Sequence, residues 1–437
     1  MKDLFKTVAV LLFAICLLGN AFAAGSRQSS SGDDKTLKWI FYNPTGSTYY
    51  ELHARLFERY ERQTGVKVVI DAYPPLEYVQ VFELKVGTGS RDYDVLSVEG
   101  NAVPAFANRG YLQPLDQWFT EAEKRRYIPS AVESGTWDGK FYAPPMNTSS
   151  QILWYNKTLL AQGGVTVRPS DLNNRLTYEE VTDYARQALN RLDPNGTNGI
   201  IGLMFEQYTD YQKNPIANSM GGKNIGDDGW TVNGVINSPE WIRAMTWYQN
   251  LYRDGLALRG SLELYSLFQS GKILFMVGGT WNAPSQINPD STINLDFDCG
   301  YAPVPAFRGY ENRVGTATGS WHYGINHISS KQNNVIDFLK WITFGEGNRA
   351  WIEQSTLVPS TMEMVEAIAR DPNANPIQKI SAYEAGNTAV PRARTVGYPE
   401  YSTIIGNAWD DVRNGSDVRA TLDRAVRDIE SAFARYR

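Results

Sequence analysis

Beyond an apolar N-terminal stretch and a serine- and glycine-rich segment, short apolar runs alternate with segments whose apolar residues recur every three or four positions. Leu37 to Tyr42 predicts a strand, ended by Asn43-Pro44-Thr45-Gly46. Tyr49, Leu52, Leu56 and Tyr60 predict a helix that Gly65 stops. Val66 to Ile70 predicts a second strand and Phe82 to Val86 a short helix closed by Gly87-Thr88-Gly89. Tyr93 to Val98 predicts a third strand, which gives way to Glu99-Gly100-Asn101. Strands and helices alternating across short polar breaks predict an α/β fold with a doubly wound, parallel-rich sheet.

Further on, Asp138-Gly139 predicts a hairpin turn, Lys140 to Ala143 an extended segment, and Ile152 to Tyr155 another strand. Leu176 to Asn190 reads as helix, Gly199 to Phe205 as extended, and Pro239 to Arg253 as a helix with Trp241, Met245 and Tyr248 on one face. In Leu267 to Pro284 an apolar run, Ile273 to Val277, breaks at Gly278-Gly279 and delivers Trp281 just past the break. A glycine pair permits close approach of the backbone. Trp281 therefore reads either as the cap of a core or as a ligand platform. Tyr301 to Pro305 reads as extended, a helix carrying Phe338, Leu339 and Ile342 follows Ser329-Ser330, and Val418, Leu422, Val426, Ile429 and Phe433 predict an amphipathic C-terminal helix.

The first residues predict an export signal. Lys2 and Lys6 precede the apolar run Val8 to Leu18, and Ala21-Phe22-Ala23 supplies a cleavage site. Residues 1–23 are expected to be removed, leaving residues 24–34 as a flexible tether. A lipoprotein cleaved before Cys16 is the competing reading, against which Ile15 stands where a small residue is needed. Cys299 is then the only cysteine of the body and reads as a small buried hydrophobe.

At 437 residues the chain suits two lobes rather than one core. Its formal net charge is −5, and no Lys/Arg block interleaves with aromatics, so no nucleic-acid partner is expected. Its 12 Trp and 25 Tyr often sit among polar residues, which suits a surface for ligands with both polar rims and apolar faces. Trp39, Trp118, Trp154 and Trp341, inside apolar or amphipathic runs, read as core. Three histidines, His53, His322 and His327, leave little for catalysis or metal binding, and His53 reads as structural. There is no HExxH pair, CxxC, GxSxG elbow or P-loop, so no metal or cofactor is expected. Asp193 to Thr197 resembles the start of a calcium loop, but Met204 stands where the closing acid belongs, and the loop reads as a turn.

Several windows together resemble the extracellular solute-binding proteins of bacterial ABC importers, in the sugar-binding group that includes maltose-binding protein. They run in order from Lys35 to about Trp409: Asp92 to Phe119, Asp138 to Leu160, LFQSGKILFMVGGTWN, Gly300 to Phe307, Gly319 to Thr343 and Leu357 to Thr361. The resemblance implies a type II periplasmic-binding-protein fold of two α/β lobes joined by three hinge crossings, around Ala143 to Asn147, Tyr301 to Pro305 and near Ser329. The first lobe would hold residues 35–143 plus 304–330, and the second 144–303 plus 331–437. Such lobes close about a hinge.

Ligands of open α/β sheets bind beyond the C-terminal ends of the strands. With the resemblance, this implies Tyr42, Asn43, Glu99 and Asn101 on the first lobe. On the second it implies Glu206, Tyr208 and Tyr211, then Trp281 and Asn282. Trp321 and His322 follow the ligand-facing turn Gly319-Ser320, and Arg394, Tyr398 and Tyr401 fall where the family lines the cleft late in the chain. The implied function is a monomeric, periplasmic receptor that binds a carbohydrate and delivers it to membrane permease subunits. The alternatives are a secreted glycoside-active enzyme using two cleft carboxylates and a receptor for a non-sugar solute such as a glycerol phosphodiester or a polyamine.

Overall fold

The first helix shows how local chemistry sets the element boundaries. Ser47 caps Thr48–Thr64 by accepting from the Tyr50 amide, and Gly65, at φ 72°, ends it in the left-handed conformation. Thr177 and Glu180 form a reciprocal capping box at the start of Tyr178–Leu192. Asp138 and Gly139 both take positive φ, 47° and 72°, as a two-residue hairpin turn requires. A computed structural model describes residues 35–206, 210–259, 264–282, 286–287, 295–319, 321–355 and 357–436. The expected signal peptide, the tether and Cys16 lie outside the described residues.

The strands in chain order are β1 (Thr36–Phe41), β2 (Lys67–Ala72), β3 (Val95–Glu99), β4 (Thr136–Trp137), β5 (Lys140–Phe141), β6 (Asn147–Thr148) and β7 (Gln151–Asn156). They continue with β8 (Ile201–Phe205), β9 (Ile273–Gly279), β10 (Cys299–Ala302), β11 (Thr316–Ala317), β12 (Trp321–Ile325), β13 (Val358–Pro359) and β14 (Ala389–Val390). Two four-stranded sheets, ordered β12-β3-β1-β2 and β10-β7-β9-β8, organise the molecule. β1 and β3 are parallel, as are β8 and β9, whereas β12, β7 and β10 pair antiparallel to their neighbours. Each sheet carries helices and has its own apolar core, one around Trp39, Phe82, Tyr323 and Phe338, the other around Trp154, Trp241, Phe275 and Trp409. The chain is an α/β protein of two lobes.

Core membership corrects the expected division. Val335, Phe338, Leu339, Ile342 and Trp351, on helices Gln332–Thr343 and Glu346–Ser355, are buried in the first core, although residues from 331 onward were assigned to the second lobe. Phe307, assigned to the first lobe, packs against Tyr178 in the second core, with ring centroids 4.5 Å apart. An amphipathic pattern reveals that a helix has an apolar face but not which sheet will cover it.

Among the described residues the chain passes between the cores three times. The first pass lies between Met146 and Ile152, close to the expected position. The second runs from β11, paired with β14, into β12, and not through Tyr301 to Pro305, where β10 pairs with β7. The third leaves the first core after Ile352, well beyond Ser329, and its β13 pairs antiparallel with β6 of the first pass. Trp39 and Trp154 are fully buried, while Trp118 and Trp341 pack partly buried against the first core. Cys299 is buried and free. Asp193 Oδ1 accepts from the amides of Thr197 and Asn198, which makes its loop a turn. Among the described residues no helix is long and apolar enough to cross a membrane.

Candidate functional site

Strand direction gathers the functional side chains at one edge of each sheet. In the first sheet, β1 and β3 run parallel and deliver Tyr42 and Glu99 at their C-terminal ends. β12 runs the other way, with Trp321 opposite Glu99 in register, so an antiparallel strand places its first residue at the same edge. Trp321 stacks on Tyr42 with ring centroids 3.6 Å apart and planes 7° from parallel, and Tyr78 meets it edge-on at 5.5 Å. The Tyr78 hydroxyl donates to the Ser97 carbonyl, anchoring this aromatic group to β3.

The second sheet repeats the device. β8 ends at Glu206, and β9, parallel to it, ends at Gly279 just ahead of Trp281. β7 opposes β9, with Gln151 across from Gly279. Glu206 accepts from Trp281 Nε1, from the Gly279 amide at 3.1 Å and from Gln212 at 3.0 Å. Burial raises its pKa above the usual carboxylate range despite these donors. Trp281 thus has a fixed indole edge and a half-buried ring. A Cβ on Gly279 would fall 2.2 Å from that ring. Gly279→Ala should therefore displace Trp281 and weaken ligand binding about fivefold, the worth of one aromatic contact, with an unchanged far-UV spectrum.

Between the edges lies a cavity of about 580 Å³, lined from one sheet by Tyr42, Asn43, Tyr78, Glu99, Asn101 and Trp321 and from the other by Ser149, Asp210, Tyr211, Trp281, Arg392 and Tyr398. That volume is typical of a pocket for a small organic ligand. Arg392 donates to Glu99 across the gap and lies over the rings of Tyr211, at 5.1 Å, and Tyr398, at 5.8 Å. Asp210, almost completely buried, accepts from Tyr398 at 3.1 Å and Ser402 at 2.7 Å. Its burial raises its pKa, against the pull of Arg392. The Tyr211 hydroxyl bonds Ser149 at 2.8 Å and accepts from Gln151 at 3.0 Å.

A sequence model described as bacterial extracellular solute-binding protein matches residues 55–376. The chain belongs to this family. It is similar to the galactooligosaccharide-binding protein of Bacillus subtilis (strain 168), 21% identical over 97% of this chain and 95% of that one. It is similar too to the maltodextrin-binding protein MdxE of the same organism, 23% identical over the same shares. Among solved structures, the GacH receptor of Streptomyces glaucescens GLA.O, studied unliganded and with acarbose, superposes with a TM-score of 0.73 at 22% identity, covering 92% of this chain and 97% of that one.

In this solute-binding protein the residues expected from the sequence divide into three groups. Tyr42, Asn43, Glu99, Asn101, Tyr211, Trp281, Trp321 and Tyr398 line the cavity together. Tyr208 lies outside the described residues. The others do not line the cavity and face elsewhere. Glu206 sits behind Trp281 and holds its indole. Asn282 is fully buried and turns back to the Gly279 carbonyl, 3.0 Å away. His322 is buried beside the Ala131 carbonyl, because successive residues of β12 point to opposite faces. Tyr401, one helical turn beyond Tyr398, is buried with its hydroxyl on the Asn224 carbonyl. Arg394 binds Glu133 at 2.8 Å and the Thr136 carbonyl, outside the cavity lining.

Sequence reasoning missed Arg392, Asp210, Ser149 and Tyr78. Asp210 lies four residues past Glu206, so the strand-end rule extended by one turn would have found it, whereas Ser149 lies before the start of β7, where that rule does not look. Arg392 carries no local signal beyond its place two residues before Arg394.

Proposed function

We propose that this chain is the ligand-capturing component of an ABC importer and binds a sugar or oligosaccharide in the cleft between its lobes. The observation that carries the reading is the pair of tryptophans, Trp281 and Trp321, one from each sheet edge, lining one cavity of about 580 Å³. A pyranose presents an apolar C–H face that stacks on an indole, and a rim of hydroxyls that needs donors and acceptors. Asn43, Asn101, Ser149, Tyr211 and Arg392 supply both in the same space. Hinge closure about β6 and β13 would bring the two edges onto the ligand, and the loaded form would meet the permease subunits. We read the first lobe as residues 35–146 plus 321–352 and the second as most of the remainder. The expected location is periplasmic or extracellular, reached through the N-terminal signal, and the expected working state is a monomer.

The enzyme alternative asks for two carboxylates free to exchange protons with a substrate. Glu99 is engaged by Arg392, and Asp210 by Tyr398 and Ser402, which favours the receptor reading. Isothermal titration against a panel of galacto- and malto-oligosaccharides, with chromatography of the recovered sugar, tests it. Saturable binding with the sugar recovered intact is the expected result. Release of a shorter product would overturn it in favour of an enzyme.

A further inference from the structure

The charges around the cleft restrict what it can admit, an inference that rests on the sugar-binding reading. Among the described residues that line the cavity, Arg392 is the only basic one, against the carboxylates Glu83, Glu99 and Asp210. Arg392 is already engaged: Glu99 accepts from it, and the Tyr211 and Tyr398 rings flank it. Burial alone would lower its pKa, but Glu99, Tyr398 and Asp210 outweigh burial and raise it, so the guanidinium stays charged.

On the rest of the wall two buried acceptors ask for donors, against one buried donor, Asn43 Nδ2, that asks for an acceptor. The amide oxygens of Asn101 and Asn147 are buried without a hydrogen-bond partner in the protein. Asn147 is only 6% exposed, and its amide nitrogen is committed to the Thr148 carbonyl at 3.1 Å. A buried acceptor left unpaired is costly. Ligand hydroxyls can donate to these oxygens, whereas a carboxylate or phosphate dianion cannot. Glu83 is paired with Arg109 and Glu99 with Arg392, so the carboxylate without an ion pair that an anion would face at close range is Asp210. At Arg392 the anion would compete with Glu99 for the guanidinium, and displacing Glu99 would cut a link between the two lobes and leave Glu99 unpaired.

We propose that the cleft selects hydroxyl-rich ligands without negative charge and rejects acidic sugars and sugar phosphates, with the Glu99–Arg392 pair as the discriminating element. The test is calorimetric titration of the whole protein at fixed ionic strength with matched ligands: galactobiose and digalacturonate, maltotriose, glucose 6-phosphate and sn-glycerol 3-phosphate. A neutral sugar should bind at least about tenfold more tightly than its acidic counterpart. Glu99→Gln, which keeps the shape and frees the guanidinium, should narrow that gap at least about threefold by improving the acidic ligand. The wild-type comparison needs no variant and stands if Glu99→Gln folds poorly. Equal or tighter binding of digalacturonate by the wild type overturns the charge selection and leaves the sugar reading standing. Binding of sn-glycerol 3-phosphate with no sugar bound overturns both.

Discussion

Replacing Trp281 with alanine should weaken sugar binding at least about tenfold, a loss of ~1.4 kcal/mol. The ring lines the cavity, and truncation removes a platform whose stacked contact area alone accounts for a loss of that size, at about 25 cal/mol per Å² of apolar surface. A second effect accompanies the first. Trp281 Nε1 is one of the donors to Glu206, and without it a buried carboxylate keeps only Gly279, Gln212 and Asn282. Leaving that oxygen short of a partner costs about 1–3 kcal/mol, so the melting temperature should fall by a few degrees at neutral pH. Titration per folded molecule separates the two effects. If the affinity per folded molecule is unchanged, Trp281 serves only the core and its role as a platform is lost. Trp281→Phe keeps a ring without the indole N–H, and should retain more affinity than the alanine variant while showing a similar fall in melting temperature.

Acid should destabilise the protein through His53. The ring is fully buried among Phe41, Trp351, Phe57 and Trp39, with centroids between 4.0 and 5.9 Å away. Burial lowers its pKa from 6.5 to about 3, only partly countered by the bond from Nδ1 to the Tyr49 carbonyl. Between those values the unfolded chain binds a proton that the folded protein refuses. Stability is therefore intact above pH 6.5 and declines as the pH falls through the window towards 3, by about 2 kcal/mol at pH 5. Glu206 and Asp210 act in the opposite sense: their raised pKa values make the fold gain stability as the pH falls through their own range. The measurement is the difference in denaturant midpoints between pH 7 and pH 5 for the wild type and for His53→Gln. The variant should lose less than the wild type over that interval. An identical loss in both would mean that the folded protein protonates His53 freely.

The architecture was legible in the sequence because its signals are local. Apolar runs bounded by glycine and polar breaks gave the strands of both sheets except β12, strand ends pointed to Tyr42, Glu99 and Trp281, and the family resemblance pointed to Trp321; all four line the cavity. The errors came from direction. In β12 an alternating strand that aims Trp321 at the cleft must aim His322 away from it, a rule available from the sequence alone. Tyr398 and Tyr401 differ by a single helical turn, yet only the first reaches the cavity, and periodicity cannot say where a helix stops facing a ligand and starts facing a core. Arg392 was invisible for a different reason. Its importance comes from Glu99, 293 positions away, and from rings contributed by two separate helices. The lobe assignment of residues 331–352 failed likewise, since only tertiary packing decides which of two apolar surfaces receives a helix.

Arg392 and Arg394, two residues apart on one lobe, each hold a carboxylate of the other, Glu99 and Glu133. The more exposed pair, Arg394–Glu133, contributes about 1 kcal/mol or less, whereas in the other the Arg392 side chain is largely buried. If the lobes close as proposed, these pairs would favour the closed state whether or not a ligand is present. Part of the drive to shut would then be built into the chain, and a ligand would need to supply only the remainder to shift the population. In the proposed import cycle the same arrangement would set a threshold for unloading: opening the cleft would mean pulling apart two charge pairs as well as the ligand contacts.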